Sequence, residues 1–418
     1  MSHNAFYAQS GGVTAVINAS AAGVIQTAQR YPQINRIYAG IDGILGALTE
    51  QMIDVGRESD AAIEALKYTP AGAFGSCRYK LKSLTEHAEQ YHRLMDVFRA
   101  HDIRYFFYNG GGDSQDTAHK ISQLSTQMGF PITCVGVPKT IDNDLPFTDC
   151  CPGFGSVAKY AAISILEASF DVASMCRTST KVFVMEVMGR NAGWIAAATG
   201  LARDERGMGP DIILLPEVAL DEQKFLQRVK QTVNERGFCI VAVSEGVKNS
   251  AGEFLSTAGA SDAFGHAQLG GAAPVVVELI KRHLDLKCHW AVCDYLQRSA
   301  RHIASRTDVE QAYALGKAAV ELAMRGQTAV MPIIKRLSSS PYRWEIDSVP
   351  LADVANVERK IPQEFITEDG FFITDACREY LAPLIEGEDY PPYQNGLPAY
   401  TLLKKIAVEK KLATSFAA

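Results

Sequence analysis

Residues 132–144 read ITCVGVPKTIDND, a short apolar run followed directly by a cation, a hydroxyl and two carboxylates. The β-branched residues of the run predict a buried strand. The polar residues that follow would lie at the carboxyl end of that strand, where doubly wound parallel sheets bind their ligands. The stretch therefore predicts both a strand of an α/β sheet and the place of a functional site.

Similar runs recur along the chain and alternate with longer helical patterns, such as those that start at Ala15 and near Gln115. This alternation indicates a mainly parallel sheet with helices on both faces. No long linker interrupts it, so we expect domains that share crossing segments. The runs are AFYAQ (5–9), IRYFFYN (103–109), KVFVMEVM (181–188), DIILLPE (211–217) and FCIVAVSEG (238–246).

The composition is that of an ordinary globular enzyme. The 418 residues are 47% hydrophobic and 21% charged, with a formal net charge of −6 and no run of Lys and Arg, which argues against nucleic-acid or anionic-membrane partners. The start of the chain lacks a signal-peptide pattern, and no apolar run is long enough to span a membrane. Nine cysteines, an odd number without metal-ligand spacing, favour reduced thiols in the cytoplasm.

Three predicted strands end in glycine-rich turns that open helices, namely Gln9–Gly12, Asn109–Ser114 and Met188–Gly193. Glycines there let a phosphate approach backbone N–H groups at a helix N-terminus. A tight turn that requires a positive φ is the structural alternative for any one of them. Together they suggest a polyphosphate ligand, although the P-loop and dinucleotide fingerprints are both missing.

The segment Lys139–Asp144 carries the clearest chemical signal. A carboxylate there can accept the proton of an attacking sugar hydroxyl, while the adjacent cation neutralises the transferring phosphoryl group. An Asx-turn with capping carboxylates is the structural alternative.

The motifs, taken in chain order, resemble those of the phosphofructokinases, over a span from about Ser10 to Gly326. The resemblance implies two similar doubly wound parallel-sheet domains with the active site in the cleft, fructose 6-phosphate as substrate, and Mg²⁺ with the phosphoryl donor. We expect a donor-phosphate domain of residues 1–147 plus about 297–345, and a sugar-phosphate domain of residues 148–296 plus about 346–418. The matching motifs are GGGDS (110–114), TIDND (140–144), MGR (188–190), LPE (215–217) and YLQRS (295–299).

The resemblance assigns roles residue by residue. Asp142 is expected to act as the general base on the sugar 1-hydroxyl, and Arg190 to stabilise the transferring charge. Tyr295 and Arg298 match the segment that grips the 6-phosphate, although Tyr295 stands where the family often has His. The other expected substrate contacts are Thr140, Ile141, Asp144, Met188, Gly189 and Glu217, and the expected donor contacts are Gly11, Gly12, Arg78 and Gly111.

Two positions resemble the pyrophosphate-dependent branch of that family. Asp113 and Lys139 each stand where ATP-using members carry glycine. A carboxylate at Asp113 would occupy the space of a nucleotide α-phosphate and repel its charge, whereas Lys139 can bind pyrophosphate and its transition state. The expected reaction is phosphoryl transfer from pyrophosphate to the 1-hydroxyl of fructose 6-phosphate. Gly112 falls where many relatives have a metal-binding carboxylate or amide, so the Mg²⁺ ligand in the Gly112–Asp113 region stays undetermined.

The family also builds its 6-phosphate site across a subunit interface, so a homo-oligomer with shared active sites is expected. Lys181 matches one of the cations that a neighbouring subunit supplies. His289 matches the second of these cations, but a histidine is not always charged at neutral pH, so Lys287 is an alternative. A further turn, Gly265–Gly271, superficially resembles a sugar-phosphate motif but has Leu269 where an arginine would be needed, and we interpret it as structural.

Three other functions compete with this interpretation. An ATP-dependent phosphofructokinase is disfavoured by Asp113 and Lys139. A catalytically silent regulatory subunit should have lost its base, yet Asp142 and Arg190 are present. A dinucleotide-dependent oxidoreductase lacks the G-x-G-x-x-G fingerprint at its first helix.

Overall fold

The structure is a computed structural model that describes residues 2–79, 81, 86, 88–255, 257–261 and 267–416, with the backbone alone for 257–261 and 267–269. Part of the turn Gly265–Gly271 therefore lies outside the described residues. The strands are β1 His3–Gln9, β2 Ile34–Gly40, β3 Met52–Asp54, β4 Ile103–Gly110, β5 Thr133–Pro138, β6 Val182–Val187, β7 Ile212–Leu214, β8 Cys239–Ser244, β9 Thr257–Ser261, β10 Ala267–Leu269, β11 Cys288–Val292, β12 Val330–Ser339, β13 Tyr342–Pro350, β14 Tyr393–Gln394 and β15 Leu397–Pro398.

Helices connect most of these strands, as parallel pairing requires. None of the helices in the described ranges combines the length and the apolar character of a membrane span. The helices are α1 Ile17–Ala28, α2 Ile44–Leu48, α3 Asp60–Ala65, α4 Ala88–Ala100, α5 Gly112–Gln127, α6 Phe154–Met175, α7 Trp194–Thr199, α8 Glu222–Arg236, α9 Ala272–Leu284, α10 Asp294–Ser299, α11 Arg306–Met324, α12 Leu351–Val354 and α13 Asp375–Leu381.

Two parallel sheets organise the chain. The larger has the order β13-β12-β5-β4-β1-β2-β3, with antiparallel strands at its two edges. The smaller has the order β11-β6-β8-β7 and is parallel throughout. The prediction of an α/β fold with two parallel-sheet units is confirmed. Most of the apolar runs form central strands, which are buried on both faces, whereas the run DIILLPE forms β7 at an edge of the smaller sheet.

The helices α1 and α11 pack on the larger sheet in backbone contact. A Cβ added to Gly23 would lie 2.3 Å from the carbonyl oxygen of Tyr313, and one added to Gly316 would lie 2.1 Å from that of Ser20. Both positions therefore require glycine. This close crossing fixes α1, and with it the turn at Gly11–Gly12 that precedes the helix.

The chain crosses between the two sheets more than once, as expected. β13 continues in the larger sheet to Pro350, past the expected division at about residue 345. Residues 375–385 then pack on the core of the smaller sheet. The final segment returns to the edge strand β3, where the Asp54 N–H donates to the Ile406 carbonyl over 2.9 Å. The exact domain boundaries stay a prediction.

Candidate active site

Three loops meet at one edge of the larger sheet, because they follow the neighbouring strands β1, β4 and β5. The Ser10 N–H donates to the Asn109 carbonyl over 2.9 Å, and the Lys139 N–H donates to the Gly110 carbonyl over 3.2 Å. These bonds join each loop to the next. The carboxyl ends of adjacent parallel strands thus bring the Gly11, Gly111 and Lys139 segments together, as the sequence predicted.

A cleft of about 640 Å³ opens at this edge. Its walls include loops from both sheets, and most of the residues singled out from the sequence line it. Those residues are Gly11, Gly12, Arg78, Gly111, Gly112, Asp113, Lys139, Thr140, Ile141, Asp142, Asp144, Met188, Arg190, Tyr295 and Arg298.

The loop that carries Asp142 is held by its own side chains. The Asp142 N–H donates to the Thr140 hydroxyl over 3.0 Å, and the Asn143 side-chain oxygen accepts from the Cys151 N–H over 3.0 Å. Asn143 has a φ of 53°, a left-handed conformation that Asn tolerates better than most residues. The turn directs the carboxylates of Asp142 and Asp144 into the cleft.

The carboxyl group of Asp142 is enclosed by protein but partly open to the cleft. Burial raises its pKa to about 7, because desolvation disfavours the charged form and the carboxylates of Asp144 and Glu245 repel it. Lys139 opposes this rise, and Glu358 adds to it. A carboxyl group with this pKa can accept a proton near neutral pH, as a general base requires.

Lys139 is almost fully buried, and its ammonium group donates to the Gly12 carbonyl over 2.7 Å. Burial lowers its pKa to about 8, while the attraction of Asp142 opposes the decrease. A Cβ added to Gly11, which has a φ of 73°, would lie 3.4 Å from the ammonium nitrogen. The backbone at Gly11 therefore leaves a space beside a buried cation, which is suited to a phosphate.

Arg298 lies beside the same turn. A Cβ added to Gly12 would be 2.7 Å from the Arg298 Nη1 and 3.6 Å from the Arg78 Nη2. The Arg298 guanidinium also stacks 3.9 Å from the centre of the Tyr295 ring. Arg298 thus borders the expected donor turn as well as Tyr295, the residue with which it was expected to bind the 6-phosphate.

The Met188–Arg190 turn is positioned by two other elements. The Met188 N–H donates to the Gln297 side-chain oxygen of α10, and the Gly189 N–H donates to Glu245, each over 3.2 Å. Gly189 has a φ of 135°, which side chains rarely adopt. This turn presents Met188 and Arg190 to the cleft, whereas Gly189, also an expected substrate contact, does not line it.

Two further expected substrate contacts, Glu217 and Lys181, also lie apart from the lining of this cleft. The Glu217 carboxylate accepts from the N–H groups of Gly193 over 3.0 Å and Ile361 over 3.3 Å, and so braces the backbone beside α7. Lys181 precedes β6, roughly 20 Å from Met188 at the strand's other end. Its ammonium group contacts the Cys176 carbonyl.

Further residues line the cleft that sequence reasoning did not single out, among them Glu245 and Glu358. Glu245 directly follows β8, so the rule applied to Asp142, a carboxylate just after a buried strand, would have found it. Glu358 lies in an irregular segment, where no local sequence pattern indicates a site. Its carboxylate accepts from the Asn191 side chain over 3.2 Å.

The arrangement combines a carboxyl group of raised pKa with buried and bordering cations, next to glycine turns at a helix N-terminus. Gly112, Asp113 and Ser114 of the first turn of α5 line the cleft. Such a site can bind a chain of phosphates and transfer one phosphoryl group to a hydroxyl. Fold and cleft together define a phosphotransferase.

Comparison with known proteins narrows this class. The family profile described as Phosphofructokinase matches residues 4–323. A pyrophosphate–fructose 6-phosphate 1-phosphotransferase of Methylococcus capsulatus is 65% identical over 414 residues, which are 99% of each chain. A protein of the same name from Halomonas elongata is 62% identical over 98% of each chain. The crystal structure of pyrophosphate-dependent phosphofructokinase from Nitrosospira multiformis has a TM-score of 0.92 at 63% identity, over 99% of this chain and 100% of that one. This chain belongs to the phosphofructokinase family.

The pKa of Asp142 leads to a prediction on pH dependence. If Asp142 is the general base, as expected from the sequence, it must act as a carboxylate, so kcat/KM should fall as the pH decreases through about 7. Asp144→Asn removes a repelling charge, lowers the pKa of Asp142, and should move this acid limb down by about one pH unit. Substrate ionisation is the same for both proteins, so the shift isolates the protein group. Initial rates across pH provide the measurement, and an unmoved limb would contradict the assignment.

Proposed function

We propose that this chain transfers a phosphoryl group from pyrophosphate to the 1-hydroxyl of fructose 6-phosphate and releases fructose 1,6-bisphosphate and phosphate. The observation that carries the proposal is the joint presence of Asp113 and Lys139 in a cleft that also holds Asp142. The names of relatives that match this chain over nearly its full length support the same donor and acceptor.

Donor choice follows from charge and space at the start of α5. Asp113 lies in the first turn of that helix, beside the glycine turns that suit the two phosphates of pyrophosphate. A nucleotide would need room for a third phosphate, and the Asp113 carboxylate would repel it. The charge and position of Asp113 therefore disfavour the ATP-dependent alternative. The intact set of Asp142 and Arg190 likewise disfavours a silent regulatory subunit.

In the transfer step, Asp142 accepts the proton of the sugar 1-hydroxyl. The oxygen of that hydroxyl forms a bond to the nearer phosphorus of pyrophosphate. The bond from that phosphorus to the bridging oxygen breaks, and the remaining phosphate leaves with the bond electrons. Lys139, Arg78 and Arg190 stabilise the negative charge on the phosphate oxygens. No covalent enzyme intermediate is required.

The sugar is held on the opposite wall of the cleft. Met188 and Arg190 contact the substrate, Thr140 and Ile141 line its 1-hydroxyl end, and Asp144 supports the base. Glu245 adds an acceptor for sugar hydroxyls, a role that the family resemblance assigned to Glu217. Tyr295 and Arg298 bind the 6-phosphate, for which the Arg298 guanidinium would turn away from Gly12. The flexible side chain of Arg298 permits this movement.

Mg²⁺ is expected to accompany pyrophosphate. Among the described residues, no group of three or more His, Cys, Asp or Glu side chains could hold a metal ion. Mg²⁺ often retains several waters and uses one or two carboxylates together with substrate phosphates, so the cleft fits the ion. Asp113 is the residue that would hold it. When bound, the ion neutralises charge on the phosphates.

The active site is proposed to be shared in a homo-oligomer. β11 is an edge strand whose side chains Trp290 and Val292 are 46% and 42% exposed, and Leu296 beside it is 65% exposed. An exposed apolar edge of this kind is typical of an interface. Because Lys181 cannot span roughly 20 Å to Met188 of its own chain, its expected role at the 6-phosphate requires a second copy.

We also propose a cytoplasmic location, which the free thiols support.

Donor choice is tested by steady-state rates with fructose 6-phosphate, Mg²⁺ and either pyrophosphate or ATP. We expect the wild type to prefer pyrophosphate by roughly 100-fold or more in kcat/KM. Asp113→Gly should gain measurable ATP use, and Asp113→Asn, which keeps the size but not the charge, should gain less. Lys139→Gly should lower kcat with pyrophosphate about 10²–10³-fold.

A wild type that uses ATP as well as pyrophosphate would refute the proposed donor. If Asp113→Gly gains no ATP activity while Lys139→Gly keeps full activity, donor selection lies at other residues.

The shared site is tested by light scattering combined with kinetics. Trp290→Glu should dissociate the oligomer and raise KM for fructose 6-phosphate. Lys181→Ala should leave the oligomer intact yet raise the same KM about tenfold, because a charge-assisted phosphate contact is lost. A monomeric wild type, or an unchanged KM in Lys181→Ala, would show that each chain builds its own 6-phosphate site.

A further inference from the structure

Arg359 is a cation outside every motif named above, and its guanidinium binds the backbone of the catalytic loop. Its Nε and Nη2 donate to the Asn143 carbonyl over 3.1 and 2.9 Å. Its Nη1 donates to the carbonyls of Thr148 over 2.6 Å and Asp149 over 3.2 Å. All of these acceptors are main-chain atoms of residues 143–149, the stretch that directly follows Asp142.

The backbone of Arg359 joins the same loop to the second unit. Its N–H donates to the Asp144 carbonyl over 2.6 Å, and its carbonyl accepts from the Trp194 indole over 3.2 Å. The guanidinium also lies 5.1 Å from the centre of the Trp194 ring. Trp194 begins α7, just after the turn that presents Arg190. Arg359 therefore connects the loop of the general base to the element that carries a substrate contact.

The catalytic loop needs such a connection. Asn143 has a positive φ, and the carboxylates of Asp142, Asp144, Glu245 and Glu358 crowd one cleft, so charge repulsion favours a more open loop. Hydrogen bonds from one planar guanidinium to three carbonyls oppose that opening. A lysine at this position has a single ammonium group and cannot reproduce the planar geometry.

We propose that Arg359 is a positioning residue for the general base: it fixes the path of residues 143–149 and so holds Asp142 in line with the substrate hydroxyl. This inference rests on the proposed function. It predicts that the loss of Arg359 affects turnover rather than substrate affinity, because Arg359 supports the base and does not line the cleft.

The experiment compares Arg359→Met and Arg359→Lys with Arg336→Met. Arg336 is a matched control, because it is another largely buried arginine that contacts Asp149. It donates to the Asp149 side chain, whereas Arg359 donates to the Asp149 carbonyl, and it also donates to the Tyr380 carbonyl; both Arg336 bonds are 2.9 Å long. Wild-type activity with pyrophosphate is measured first, since its absence would refute the proposed function and not this inference. The readouts are kcat, KM for both substrates, and the thermal midpoint of unfolding.

We expect Arg359→Met to lower kcat about 100-fold with KM values within about threefold, since misplacement of a reacting group by about 1 Å has effects of this size. Arg359→Lys should lower kcat about tenfold, because it keeps the charge but loses the fork of hydrogen bonds. Arg336→Met should lose thermal stability while kcat stays within about threefold.

A folded Arg359→Met with wild-type kcat would overturn the proposal. So would equal losses of kcat in Arg359→Met and Arg336→Met, since these would reflect general loosening of the loop. Should Arg359→Met fail to fold, Arg359→Lys decides: a tenfold lower kcat at constant KM supports the proposal, and an unchanged kcat refutes it.

Discussion

The cleft depends on the enclosure of opposite charges at the carboxyl end of one strand. Asp142 and Asp144 repel each other there, and the buried ammonium group of Lys139 offsets part of that repulsion. As a result, the pKa of Asp142 is about 7, so this residue can accept a proton near neutral pH. The pKa of Lys139 is about 8, so this residue can release a proton slightly above neutral pH. Neither state would exist in open solvent, where the two pKa values lie far apart. The surrounding fold serves to maintain this enclosure.

Each layer of the structure contributes to the enclosure of these charges. The parallel order of β1, β4 and β5 aligns three loop segments, and the glycines among them allow backbone and phosphate to approach closely. The smaller sheet supplies the opposite wall. Arg359, from the irregular segment after α12, ties the loop of the base to α7. The site is thus an arrangement of chain segments that are far apart in sequence and follow strands of both sheets.

The sequence predicted the parts whose signal is local. Apolar runs that end in glycine or carboxylate identify strands and the loops that follow them, which is why the Gly11, Asp113 and Asp142 segments could be expected to meet, and all three line one cleft. Long-range packing gives no such signal. Glu217 and Glu245 both follow apolar runs, and only the fold distinguishes the one that braces a backbone turn from the one that lines the cleft. Glu358 and Arg359 lie outside any regular pattern, so their contacts could not be read from the chain.

Burial and the neighbouring carboxylates raise the pKa of Asp142 in the free protein. Infrared difference titration of the wild type against Asp142→Asn observes the carboxyl stretch directly and needs no substrate. The account predicts one carboxyl group that protonates with a midpoint of about 7 and is missing from the variant. A difference spectrum whose carboxyl signal titrates at the ordinary aspartate value of about 4 would contradict it.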